Sequence, residues 1–164
     1  GTGYRSISWS APQPDAPVMA DIRKLVFDAG DSLAAEDELN SVFYQRGLVI
    51  SMILAEGIKT AQENFDAAEI DASQLRWGLE NINLTDERLA ELGMTGMVPP
   101  FATSCANHTG HSGGWMLQWD GAQFVPASGH LMPDSETIAS LEGPAAAEYA
   151  EANAPWPVNE DCEG

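Results

Sequence analysis

Positive charge is what this sequence has least of: 7 Lys and Arg stand against 25 Asp and Glu, a formal charge of −18 at pH 7. A field of that sign repels nucleic-acid phosphates and anionic lipid surfaces, so neither is an expected partner. Cysteine is nearly absent too, with only Cys105 and Cys162, far apart. Two such residues leave both free thiols and a single disulfide open, depending on compartment. Apolar runs are short. The longest, Leu48 to Ala55, is interrupted by Ser51 and falls well below the roughly 18–20 residues that cross a bilayer, so direct membrane insertion is not expected. An initiating Met and a basic-plus-apolar leader are also missing, and Gly1-Thr2-Gly3-Tyr4 opens almost directly on a strand pattern, as in a processed or truncated chain. No Gly-x-Ser-x-Gly elbow, phosphate loop or dinucleotide fingerprint occurs.

What is present is enough apolar material for a core: 44% of 164 residues, one domain by length. Tyr4 to Trp9 alternates as a strand does. After Pro12 and Pro14, Asp15 is a plausible N-cap with Pro17 in the first turn, and Val18, Met19, Ile22, Leu25 and Val26 recur at helical spacing up to a stop at Gly30. Asp31 to Asn40 reads as a loop or weak helix. The strongest element runs from about Phe43 to Phe65, and its first half is apolar nearly all round, which predicts burial on several sides. Gly47, Ser51 and Ala55 lie four apart, a small face expected to approach a sheet or another helix closely. Ser73 is expected to cap a short helix, and Thr85 another that Gly93 closes. Pro133-Asp134-Ser135 starts a further helix; Gly143-Pro144 is expected to break it, with a last helix over Ala145 to Ala152.

Asn107 to Gly114 followed by Trp115-Met116-Leu117-Gln118-Trp119-Asp120-Gly121 is the most informative stretch. Cys105, His108 and His111 are spaced as metal ligands can be, and His130, Asp120 or Asp134 could supply a fourth. That reading gives a small metal-dependent enzyme. It lacks a second ligand pair at standard spacing, and Cys105 beside His108 does not make a thiol–imidazole pair by nearness in sequence alone. The strand pattern gives the other reading. Trp115, Leu117 and Trp119 alternate with Met116 and Gln118, Asp120-Gly121 suits a two-residue turn, and Gln123-Phe124-Val125 returns. Arg46 stands just inside the start of the long helix, where a cation opposes the helix dipole. An anionic ligand or an Asp or Glu partner is expected beside it, and Tyr44, Gln45 and Arg46 are the candidate ligand contacts.

Read in succession, Tyr44 to Glu56, Leu75 to Ile82, Gly96 to Phe101, the His-Gly loop and the Trp-Asp-Gly hairpin resemble the periplasmic substrate-binding protein of branched-chain amino-acid-type ABC transporters. The tail from Trp156-Pro157 to Cys162 resembles members that bind amides or aromatic acids. The resemblance covers the C-terminal half only, since such proteins are about twice as long. It implies an α/β fold, part of a two-lobed type I periplasmic binding protein, with helices packed on parallel sheets plus a C-terminal β-hairpin and helical tail. It assigns 1–42 to the C-terminal lobe, 43–98 to the N-terminal lobe, and 99–164 to the hinge return, hairpin and tail of the C-terminal lobe. It further implies an extracytoplasmic, periplasmic location and a small amino-acid-like, amide or aromatic-acid solute held between lobes that close by hinge motion. Tyr44, Gln45 and Arg46 would lie at a hinge crossing. The partner would be a membrane permease, with no cofactor, no metal and no catalysis. In an oxidising compartment, the resemblance implies, Cys105 and Cys162 would pair as a disulfide.

Overall fold

The period-2 alternation at the start of the chain forms a strand, β1 (Arg5–Ser8), in a computed structural model that describes residues 2–110 and 113–155. β1 lies antiparallel to β4 (Gly114–Trp119), which lies antiparallel to β5 (Phe124–Leu131), in the order β1-β4-β5. The approach of β1 to β4 requires Gly114: a Cβ there would stand 2.5 Å from the Ser8 carbonyl oxygen. The hairpin forms as expected, but its turn sits one residue later than Asp120-Gly121. Asp120 N donates to Gln123 O at 3.1 Å, leaving Gly121 (φ +119°) and Ala122 at the tip. The Asp120 carboxylate accepts from the N–H groups of Gln123 and Ala122, and those bonds hold its pKa below the usual carboxylate range.

Helix α1 (Pro17–Ile22) continues through a π-helical turn over Arg23–Phe27, and Gly30 follows at φ +80°. Its N-cap is Ala16 with no side-chain cap, not the expected Asp15. A 3-10 turn over Glu36–Asn40 leads into α2 (Val42–Phe65), whose N-cap Ser41 accepts from Tyr44 N. The cap of α3 (Ala72–Leu79) is Asp71 rather than Ser73. Its carboxylate takes the N–H groups of Ser73 and Gln74, while the Gln74 side chain reaches back to the Asp71 N–H. Short β2 (Asn83–Leu84) and β3 (Phe101–Ala102) pair antiparallel, and α4 (Asp86–Glu91) between them is capped by Thr85 and followed by Gly93 at φ +67°.

The mixed α/β class is as the motifs implied, whereas both sheets among the described residues are antiparallel rather than parallel. A tight turn joins β4 to β5 and enforces antiparallel pairing, since parallel neighbours need a long crossover. The core gathers Met19, Leu39, Val49, Met52, Leu84, Leu89, Met94 and Met97.

The chain divides into two compact units, the first ending at Leu131 and the second beginning at Met132. Within the second, α5 (Ser135–Ala152) is one helix capped by Asp134, with Pro144 inside it. The expected break at Gly143-Pro144 does not occur. Much of the conflict between proline and a helical predecessor involves the predecessor's Cβ, which Gly143 lacks, and open space surrounds it.

Helix α2 is buried along one side only. Gln45, Val49, Met52, Gly57 and Ala61 face inward. The small face at Gly47, Ser51 and Ala55 is exposed, together with Phe43 at 77%, Ile50 at 58% and Leu54 at 46%. That corrects the expectation of burial on several sides. The close helix approach lies a turn further on, where α3 crosses α2. A Cβ on Gly78 would collide with the Gly57 carbonyl oxygen and lie 2.8 Å from Ala61 Cβ, and one on Gly57 would stand 2.6 Å from Leu79 Cδ2.

An ion pair ties α4 to α2. Arg88 Nε donates to Glu56 Oε2 at 2.9 Å, Nη2 donates to Oε1 at 2.6 Å, and Nη1 reaches Glu91 at 2.9 Å. Their side chains are 29% and 14% exposed, which makes this fork-to-fork pair stronger than a surface pair. The hydrogen bonds from Arg88 hold the Glu56 carboxyl below its ordinary pKa of 4.5.

Two outcomes follow from this packing. Gly78→Ala is expected to destabilise the chain by about 1–3 kcal/mol through overpacking, while Ala55→Leu on the exposed face should change stability by about 0.5 kcal/mol or less. Urea unfolding measures both, and the reverse order would place the close contact on the wrong face. Because the folded pKa of Glu56 is lowered, its contribution is complete above the unfolded value near 4.5 and disappears as pH falls through the folded value. Glu56→Gln should therefore lower stability at pH 7 and flatten the loss between neutral pH and pH 3. Parallel pH profiles for wild type and variant would remove Glu56 from the acid-sensitive set.

Candidate functional site

The start of α2 is where chain segments with no regular pairing meet. Gln45, 3% exposed, accepts from Gln13 N through Oε1 at 2.6 Å and donates through Nε2 to Leu39 O at 3.4 Å. One buried amide thus ties the Pro12-Gln13-Pro14 connection and the 3-10 turn to the helix. Buried backbone groups need such partners, and a side chain that offers both a donor and an acceptor satisfies two of them at once.

These segments wall a cleft of about 430 Å³, within the size range of small-molecule sites. Pro12, Pro14 and Val42 line it together with Trp119, Phe124 and Pro126 of the hairpin. Trp119 and Phe124 meet edge to face with ring centroids 5.3 Å apart. Asp37, Asn40 and Gln123 bring polar groups to the cleft.

The three candidate contacts point to different neighbours. The ring of Tyr44 lies beside Phe27, centroids 6.4 Å apart, and Gln45 is engaged with the backbone as described. Arg46 is half-buried one turn beyond Val42: Nη2 donates to Ser8 Oγ at 2.8 Å, and the guanidinium carbon stands 5.7 Å from the ring centroid of Trp9. Ser8 Oγ in turn donates to Ser10 O at 2.6 Å. The Nε of Arg46 is buried with no hydrogen-bond partner among the described residues, and no described carboxylate lies within 4 Å of the guanidinium. In a chain with 25 acidic side chains, the Asp or Glu partner expected at the sequence level is not supplied by the described residues.

The Cys105/His108/His111 arrangement does not assemble as a metal centre among the described residues. His108 Nε2 lies 3.1 Å from Glu80 Oε1, which already accepts from Arg76 Nε at 2.8 Å, and Arg76 Nη2 lies 4.0 Å from Cys105 Sγ. No group of three His, Cys, Asp or Glu able to hold a metal ion occurs among the described residues. His111 and Cys162 lie outside them, so both the third expected ligand and the second half of the expected disulfide do too. Sequence reasoning missed Ser8, Trp9, Gln13 and Asp37. The proline pair around Gln13 was the available signal, because residues between prolines cannot pair regularly and must find other partners.

No protein-family model matches this chain, and no curated protein does. Two solved structures do. The crystal structure of an ABC transporter permease from the Pseudomonas fluorescens group is 29% identical with a TM-score of 0.88, over 97% of this chain and 39% of that one. A branched-chain amino acid ABC transporter from Thermus thermophilus with bound valine is 20% identical with a TM-score of 0.61, over 81% of this chain and 34% of that one. The resemblance read from the motifs therefore holds in three dimensions: the chain has the α/β fold of part of a type I periplasmic binding protein and is similar to ABC-transporter substrate-binding proteins. It spans less than two fifths of the length of either solved chain.

Proposed function

We propose that this chain is part of an extracytoplasmic, periplasmic solute-binding component of an ABC importer, which presents a small amino-acid-like, amide or aromatic-acid solute to a membrane permease. The similarity to ABC-transporter structures supports the class. The observation that carries the solute chemistry is Arg46. A half-buried guanidinium with an unpartnered Nε and no described carboxylate nearby suits the planar, two-pronged contact that a solute carboxylate or amide oxygen offers. Trp9 beneath it and Ser8 beside it hold the fork in place, and Tyr44 borders the same helix start. Gln45 supports this site by fixing the segments around it. The assignment of residues to the lobes of a longer protein, and closure of a cleft between them, belong to the same proposal.

Binding of valine, benzoate and propionamide by the full-length protein, measured by isothermal titration, tests the reading. One of the three is expected to bind. Arg46→Ala should weaken it by about 2 kcal/mol or more, the scale for removing one side of a buried charge-assisted contact, while the circular dichroism of the fold is retained. Equal affinity in wild type and variant would take Arg46 out of the site, and no binding of any of the three would overturn the solute class. The extracytoplasmic location carries a second outcome, a Cys105–Cys162 disulfide. Intact mass without reductant should be two hydrogens below that of the reduced chain. Two titrating thiols in protein never exposed to reductant would contradict it.

A further inference from the structure

The cleft between the hairpin and the start of α2 has a chemistry opposite to that of Arg46. Its walls are prolines, valines and the edge-to-face pair Trp119–Phe124, and none of the chain's 7 Lys and Arg lines it. Among the described residues that line it, the one ionisable group is Asp37, which has no described cationic side chain within 4 Å. Glu36 and Glu38 flank it in sequence, so the negative potential there is reinforced rather than cancelled. Of the two flanking carboxylates, Glu36 has a distant contact, Arg23 Nε at 3.9 Å.

An apolar cleft with aromatic rings and one unpaired carboxylate selects by charge. A carboxylate-bearing ligand would meet repulsion from Asp37 and its neighbours. A neutral apolar ligand would gain only the burial of its apolar surface. A ligand with an apolar or aromatic body and an ammonium gains that burial, the attraction of Asp37, and the favourable field of the ring faces for a cation. We infer that this cleft binds a small organic ammonium, its apolar body between Pro12, Pro126 and the Trp119–Phe124 pair and its charged end toward Asp37. Asn40 and Gln123, which also line the cleft, offer side-chain hydrogen-bond acceptors. This site is separate from the carboxylate contact at Arg46 and does not depend on the transport reading.

Phenethylamine, phenylacetate and 2-phenylethanol share a ring and a two-carbon or shorter arm but differ in charge, and they separate the terms. Calorimetric titration of the protein at low ionic strength should show phenethylamine binding about two- to fivefold tighter than 2-phenylethanol, the scale of one exposed ion pair. Asp37→Asn, a substitution at an exposed position, should remove that difference and leave 2-phenylethanol unchanged. Raising the salt concentration should weaken phenethylamine alone. Equal affinities for the amine and the alcohol, an amine affinity untouched by Asp37→Asn, or no amine binding by folded protein would each overturn the inference. Phenylacetate competing with phenethylamine in the Asp37→Asn background but not in wild type would support Asp37 as the charge selector. Loss of carboxylate binding on Arg46→Ala is a separate readout, so failure of the transport reading and failure of this one are distinguished.

Discussion

The side-chain amide of Gln45 joins three segments that share no ladder: a proline-flanked connection, a short 3-10 turn and the first turn of the longest helix. Everything at the candidate site is positioned through that junction. Pro12 and Pro14 reach the cleft because Gln13 N is held at 2.6 Å. Asp37 and Asn40 reach it because the 3-10 turn ends against Leu39, whose carbonyl takes the other end of the amide and whose side chain is fully buried. A buried amide in this role is exacting, since a hydrocarbon of the same size would leave a backbone donor and an acceptor without partners in the interior.

From that junction the rest of α2 is a problem of one-sided burial. Val49 and Met52 continue the inward stripe into the core, and Gly57 and Ala61 let α3 approach until Gly78 lies against the helix backbone. Arg88 then fastens α4 across Glu56. A glycine on each side of the crossing lets the two helix backbones come close. The sheet β1-β4-β5 is attached to this helical body through Arg46, whose guanidinium bonds Ser8 and stands by Trp9. The residue proposed to meet solute is thus also a link between sheet and helix.

Charge is distributed so that the few cations are mostly consumed within the fold. Arg23, Lys59, Arg76 and Arg88 each face a carboxylate, and Arg5 donates to Gln118. Against a net charge of −18, a guanidinium facing a hydroxyl and an indole stands apart electrostatically. The cleft lined by apolar groups and Asp37 keeps the prevailing negative sign. The two proposed sites therefore have opposite charge preferences.

The sequence by itself determined the local elements. Period 2 placed β1 and the hairpin, and helical spacing placed α1 and α2. Thr85, Asp134, Gly30 and Gly93 marked helix ends through capping and positive φ, because these signals act between residues a few positions apart. Where two local signals competed, the sequence-level reading went astray: Asp71 rather than Ser73 caps α3, because Gln74 completes a capping box, and Gly143 relieves Pro144 within α5. Only the tertiary structure decided which face of α2 is buried, that Gly78 rather than Ala55 sits at the close contact, and that Gln13, Leu39 and Gln45 form one junction. It also decided that Arg46 meets Ser8 and Trp9. Each of these depends on pairs tens of residues apart, such as Gln13 with Gln45 and Ser8 with Arg46. Periodicity reports that a helix has an apolar face, but the partner that covers it is chosen by packing shape and by the backbone groups left needing hydrogen bonds.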